Sequence, residues 1–143
     1  MATISKRTRH AVYDTHIHLV FVTKYRRKVL TDAMLSFCEQ EMSRVAESLG
    51  SELEEFNGEA DHVHMLVSLP PTLSIATLVN SLKGVSSRLL QRDYEKKLNL
   101  RDGKLWSRSY YAGSAGGAPR ATLKSYIANQ DRPKPADADS SPA

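Results

Sequence analysis

Apolar residues along the first half of the chain arrive in two rhythms, a dense β-like run and then a helical stripe. His16-Ile17-His18-Leu19-Val20-Phe21-Val22-Thr23-Lys24-Tyr25 is rich in β-branched and aromatic side chains and reads as a first strand, followed by the basic turn Arg26-Arg27-Lys28. Thr31 or Asp32 then caps a helix whose Leu35, Cys38, Met42, Val45 and Leu49 form one stripe, with Gly50 ending it. Ser51 to Ala60 reads as a second, mostly polar strand. Asp61 to Leu69 is a third, closed by Pro70-Pro71, which cannot donate to a ladder. In it Val63, Met65, Val67 and Leu69 share one face, and His62, His64 and Ser68 the other.

Ser74 opens a second helix with Ile75, Leu78, Val79, Leu82, Leu89 and Leu90 on its buried side. After a turn at Asp102-Gly103, Leu105 to Ala112 reads as a fourth strand or a short strand pair, and Gly113 to Gly117 as a flexible linker. Pro119 suits the first turn of a last helix running to about Gln130. Residues 1–130 are therefore expected to form one domain, and residues 131–143 a disordered tail. The order β-α-β-β-α-β with an extra helix predicts an α+β fold of the ferredoxin-like kind, an antiparallel sheet with helices on one face and a C-terminal helix added. In that topology the first and third strands lie side by side at the sheet centre. The helices cover Val63, Met65 and Val67, and His62 and His64 face the open side.

Composition narrows the class. A chain of 143 residues with 41% hydrophobic content can bury a core, and no apolar run approaches the ~20 residues that span a bilayer. The basic first ten residues lead into no apolar signal segment. One cysteine, Cys38, excludes an intramolecular disulfide and any multi-cysteine zinc site; its place on the apolar stripe makes it a core residue, and a reducing, cytoplasmic setting is the default. The net charge of +4 hides segregation. Residues 1–30 carry seven Lys/Arg against one acid, residues 31–60 one against eight, and residues 81–130 ten against three. Such an uneven surface suits phosphate, although solvated faces of different sign would look the same.

The chemistry concentrates in two short patterns. His62-Val63-His64 on a strand sends both imidazoles to one side, and Tyr126 and Gln130 at i and i+4 share one face of a helix. If the two faces meet, His62, His64 and Gln130 make an incomplete shell for a divalent metal, Mg²⁺ or Mn²⁺, beside the Tyr126 phenol. Tyr126 could then attack phosphorus and expel a 3′-OH, leaving a 5′-phosphotyrosine that a different 3′-OH can reverse. Rivals remain on spacing alone. His16 and His18 form a second H-x-H pair, better suited to lining the neighbouring strand, and Asp61 either orients an imidazole or caps the strand. Tyr110 and Tyr111, close to Trp106, are read as packing residues, and Tyr126 itself could be a half-buried aromatic beside Leu123 and Ile127.

Four segments in this order resemble the HUH-type single-tyrosine transposases of bacterial insertion sequences. They are His18-Leu19-Val20-Phe21-Val22-Thr23-Lys24-Tyr25-Arg26, Asp61-His62-Val63-His64-Met65-Leu66, Leu105-Trp106-Ser107 with Ser109-Tyr110, and Tyr126-Ile127 with Gln130. The resemblance implies His62, His64 and Gln130 as metal ligands and Tyr126 as nucleophile. It also implies single-stranded, hairpin-bearing DNA ends as substrate and a homodimer in which the tyrosine helix completes the partner's site. Arg26, Arg27, Lys28, Lys83 and Arg88 are candidate phosphate contacts. Arg108 stands where relatives often have proline, and the linker is unusually rich in Gly and Ala, so the loop around the fourth strand is expected to differ. A sheet-based single-stranded nucleic-acid-binding module without catalysis, and a domesticated relative acting on repeat hairpins, are the alternatives.

Overall fold

The computed structural model describes residues 6–7, 12–100, 102–115 and 127. Strands β1 (Lys6–Arg7) and β2 (Val12–Tyr13) pair as a short antiparallel ribbon that sequence reading had not supplied. The main sheet holds β3 (His16–Val22), β4 (Leu53–Glu59), β5 (His62–Ser68) and β6 (Tyr111–Ser114) in the order β4-β5-β3-β6, all antiparallel. The first and third of these strands are thus the central pair, as the ferredoxin-like order requires. Helices α1 (Asp32–Ser48) and α2 (Ile75–Leu98) complete the α+β sandwich.

Local chemistry sets the helix ends. The Thr31 hydroxyl accepts from the Met34 N–H at 3.2 Å, and the Ser74 hydroxyl accepts from Thr77 N–H at 3.1 Å, so each helix opens on a side-chain cap. Gly50 (φ 83°) and Asn99 (φ 48°) take the left-handed conformation just past the two C-termini. Met34, Cys38, Met42, Val45 and Ala46 form the buried line of α1, while Leu35 and Leu49 flank it half-buried. On α2 the buried line is Leu78, Val79, Leu82, Ser86, Leu90 and Leu98; Leu89, expected inside, is only half-buried.

Pairing of β3 with β5 sets Ile17 opposite Val67, Leu19 opposite Met65 and Phe21 opposite Val63. These six side chains belong to the core that the helices cover, and Trp106 meets Phe21 edge-on at 5.8 Å while its indole N–H donates to the Ser86 hydroxyl at 3.0 Å. In β4 the register slips between Leu53 and Glu55, so Glu54 is the extra residue of a bulge. The slip lets Leu53 and Phe56 both pack against the core although three positions apart.

The fourth strand is interrupted. Trp106 makes a bridge with Thr23, and Tyr111–Ser114 pairs further along with Val20 to Ile17. Between them Arg108 and Ser109 are exposed, and the Lys83 ammonium donates to the Ser107 and Arg108 carbonyls at 2.6 and 3.2 Å. Gly113 and Ser114, expected to begin a linker, instead pair with His18 and Ile17, and the Ala115 N–H reaches the His16 carbonyl at 2.9 Å. The free edge of β3 needed a hydrogen-bonding partner more than it needed a particular side chain. The remainder of the linker, the tyrosine helix except Ile127, and the 131–143 tail lie outside the described residues. Among the described residues no helix is long and apolar enough to cross a membrane.

Candidate active site

Residues directly opposite in an antiparallel pair share a face. Val22 is opposite His62, Val20 opposite His64 and His18 opposite Leu66, so His18, His62 and His64 all point away from the helices. All three are half-buried, whereas Val20 and Val22 between them are fully buried. The histidines therefore stand beside buried valines on the two central strands of the sheet.

Asp61 precedes the pair and serves both roles the sequence left open. Its carboxylate Oδ1 lies 2.9 Å from His62 Nδ1, and its backbone carbonyl accepts the Thr23 N–H at 2.9 Å and the Thr23 hydroxyl at 3.3 Å. With a carboxylate oxygen as its acceptor, Nδ1 is the donor and the His62 lone pair is left at Nε2. Behind Asp61, Arg26 Nη2 approaches Oδ2 at 3.4 Å. Arg26 gets there through an unusual turn, Lys24–Arg26, in which Tyr25 (φ 63°, ψ 17°) and Arg26 (φ 54°) are both left-handed. Two such non-glycine residues cost on the order of 1–3 kcal/mol each, a strain that marks the turn as held by its surroundings.

His64 has a different partner. Its Nε2 lies 2.9 Å from His18 Nδ1, with ring centroids 5.0 Å apart and planes tilted by 34°. Of the second H-x-H pair, then, His18 does line the site. His16 does not: it is 5% exposed and clamped between Asp14 (2.8 Å) and Glu54 (2.7 Å). Burial works against its charged form, but the hydrogen bonds to Asp14 and Glu54 outweigh it and the imidazole pKa is raised above 6.5.

The five basic candidates separate. Arg26 turns to Asp61, Arg27 Nη2 donates to the Leu98 and Asn99 carbonyls at 3.4 and 3.0 Å, and Lys83 holds the Ser107–Arg108 loop while standing 5.9 Å over the Phe21 and Tyr110 rings. Lys28 and Arg88 are exposed. Tyr126 and Gln130 lie outside the described residues, and Ile127 between them is helical.

Among the described residues no three His, Cys, Asp or Glu side chains converge as a complete metal site. His62, with its lone pair directed by Asp61, and His64 fit a divalent ion as two nitrogen donors of a set that needs a further donor from elsewhere. Sequence spacing had offered Gln130 for that place. The contact of His18 with His64 could have been anticipated only from strand order, since the two residues are 46 positions apart.

Comparison with known proteins bears on the family and the fold. The family described as "Transposase IS200 like" matches residues 11–130. The chain is 29% identical over 126 residues to the transposase for insertion sequence element IS200 of Salmonella typhimurium, covering 87% of this chain and 82% of that relative. It is 32% identical over 126 residues to the ISDra2 transposase TnpA of Deinococcus radiodurans, covering 87% and 90%. A transposase crystal structure from Deinococcus radiodurans R1 superposes with a TM-score of 0.81 at 32% identity, over 89% of this chain and 98% of that one. A REP-associated tyrosine transposase bound to a REP hairpin shares the fold at a TM-score of 0.55 and 11% identity, over 87% and 68%. With a family match over most of its length and relatives at this level of identity, the chain belongs to the IS200-like transposases and is a DNA transposase.

Proposed function

We propose that this transposase cuts and rejoins single-stranded DNA at the ends of its element through the Tyr126 hydroxyl. The observation that carries the proposal is the seating of His62 and His64 on the open face of the central strand, with His62 held by a buried carboxylate. His62, His64 and Gln130 would hold a Mg²⁺ or Mn²⁺ ion, which supplies charge stabilisation at the phosphate when bound. A tyrosine hydroxyl titrates near pH 10 and is a weak nucleophile at neutral pH, so placing it in line with the phosphorus is the main contribution of its helix. Attack by the Tyr126 oxygen breaks the P–O3′ bond, the departing 3′ oxygen takes up a proton, and the 5′ phosphate stays on the tyrosine. Attack by a second 3′-OH on that phosphotyrosine restores a phosphodiester and the free phenol, with no nucleotide cofactor consumed.

Hairpin-bearing single strands are the substrate class this reading favours; a structural neighbour with the same fold is bound to a REP hairpin. A homodimer in which the tyrosine helix serves the partner's histidines completes the proposal. The test is incubation with labelled single-stranded hairpin DNA and Mn²⁺ followed by denaturing electrophoresis. A covalent protein–DNA adduct is expected, absent in Tyr126→Phe and in His62→Ala/His64→Ala. Tight DNA binding with no adduct on any element end would instead make the protein a binding module.

A further inference from the structure

Two histidines meeting nitrogen to nitrogen can either share one cation or hydrogen-bond to each other, and the ring geometry separates the cases. Two ligands of one ion aim their lone pairs at a third point away from the line joining the nitrogens. Here the nitrogens are 2.9 Å apart and the ring centroids 5.0 Å apart, a difference close to two ring radii, so the rings meet end on along that line. That is a hydrogen bond. Its partners come from neighbouring strands: His18 lies diagonally across from His64, whose direct opposite is Val20. β3 is itself fixed on both sides, by β5 and by β6, where Gly113 faces His18.

We propose that His18 is a positioning residue for His64, a counterpart on the neighbouring strand to what Asp61 is for His62. The inference rests on the reading of His62 and His64 as metal ligands. In that role His18 Nδ1 accepts from His64 Nε2–H, which puts the His64 lone pair at Nδ1 and restrains the ring about its side-chain torsions, so less order has to be imposed when a cation binds. Each histidine of the pair is then steered separately, His62 by a carboxylate on its own strand and His64 by an imidazole on the next.

The test uses the full-length protein and Mn²⁺ alone. His18→Leu keeps the bulk and loses the hydrogen bond; His18→Asn places an amide near the position of Nδ1. Calorimetric titration should show Mn²⁺ affinity reduced about 10-fold or more in His18→Leu and within about threefold of wild type in His18→Asn. Pulsed EPR of Mn²⁺ on the wild-type protein should count two histidine nitrogens. Equal affinity in wild type and His18→Leu overturns the proposal, including where the Leu variant binds DNA more weakly. A count of three histidine nitrogens also overturns it, because His18 would then be a ligand. If wild type shows no saturable Mn²⁺ binding and forms no metal-dependent adduct, the two-histidine reading falls first and this inference with it.

Discussion

A carboxylate held against an imidazole fixes the ring's rotation and its tautomer together, so Asp61 matters to His62 beyond its charge. Asp61→Ala is expected to lower Mn²⁺ affinity about 10- to 100-fold, read by titration, with a smaller loss in Asp61→Asn, which keeps an acceptor. Cys38 illustrates the opposite situation. Burial, with Glu39 adding to it, pushes its thiol up to about 12, so the thiolate is scarce at neutral pH. Iodoacetamide should leave native protein unmodified and label it only after unfolding. His16 gives the fold a pH dependence. Its folded pKa is raised above 6.5, so the stabilisation from its charged form is complete below that value and is lost as pH rises through the folded pKa. Urea unfolding midpoints should therefore fall between slightly acid and mildly alkaline pH, and His16→Gln should flatten that fall. Cys38 was legible from helical spacing, because period alone puts it on the stripe. The His16 clamp was not: Glu54 reaches it from a bulge two strands away, and no local pattern in the sequence announces a bulge.

At the level of elements, the strands and helices that bury apolar side chains were readable, and the pieces held mainly by backbone bonding were not. Thr31, Ser74 and the alternation of Val63, Met65 and Val67 each announce their element by side-chain chemistry. β6 does so only in part: Tyr111 and Ala112 fall in the expected fourth strand, whereas Gly113 and Ser114 read as the start of a linker until β3 is seen to need a partner there. Gly113 has a specific reason to lack a side chain. A Cβ at that position would press on the phenol end of the Tyr111 side chain, whose hydroxyl oxygen is nearest and whose ring carbon Cζ is 2.9 Å away. Gly113→Ala should displace the Tyr111 ring and destabilise the protein by about 1–3 kcal/mol, measured by urea unfolding and by the shift of the Tyr111 ring resonances. The missed β1–β2 ribbon belongs to the same class. It is two residues long on each side, too short for periodicity to show, and Lys6 ties it to Glu52 beside β4.

For the whole molecule, charge segregation visible in the sequence overstates the cations facing a nucleic acid, because Arg26, Arg27 and Lys83 have structural partners. Exposed Lys28 and Arg88 are the better candidates for phosphate contact. Replacing either by Ala should reduce the slope of log affinity for single-stranded DNA against log salt by about 0.7, whereas Arg27→Ala should act first on stability. For the proposed homodimer, the route of the chain out of the sheet bears on which subunit's histidines Tyr126 would serve. β6 is last bonded at His16, and His62 sits at the opposite end of β3, beside Val22. Those ends are about 20 Å apart at roughly 3.3 Å per residue. With the expected helix starting at Pro119, the eleven steps from Ala115 to Tyr126, four extended and seven helical, would span about 25 Å. A segment of that length can still reach its own subunit's histidines, so length does not enforce exchange between subunits. A domestic nucleophile is supplied at a concentration that dilution cannot touch, whereas a borrowed one disappears when the dimer separates. If the tyrosine helix serves the partner's histidines, as proposed, initial adduct formation per subunit should fall on dilution below the dimer dissociation constant. Mixing Tyr126→Phe with His62→Ala/His64→Ala protein should restore cleavage, and a rate indifferent to dilution with no restoration would mean that each subunit works alone.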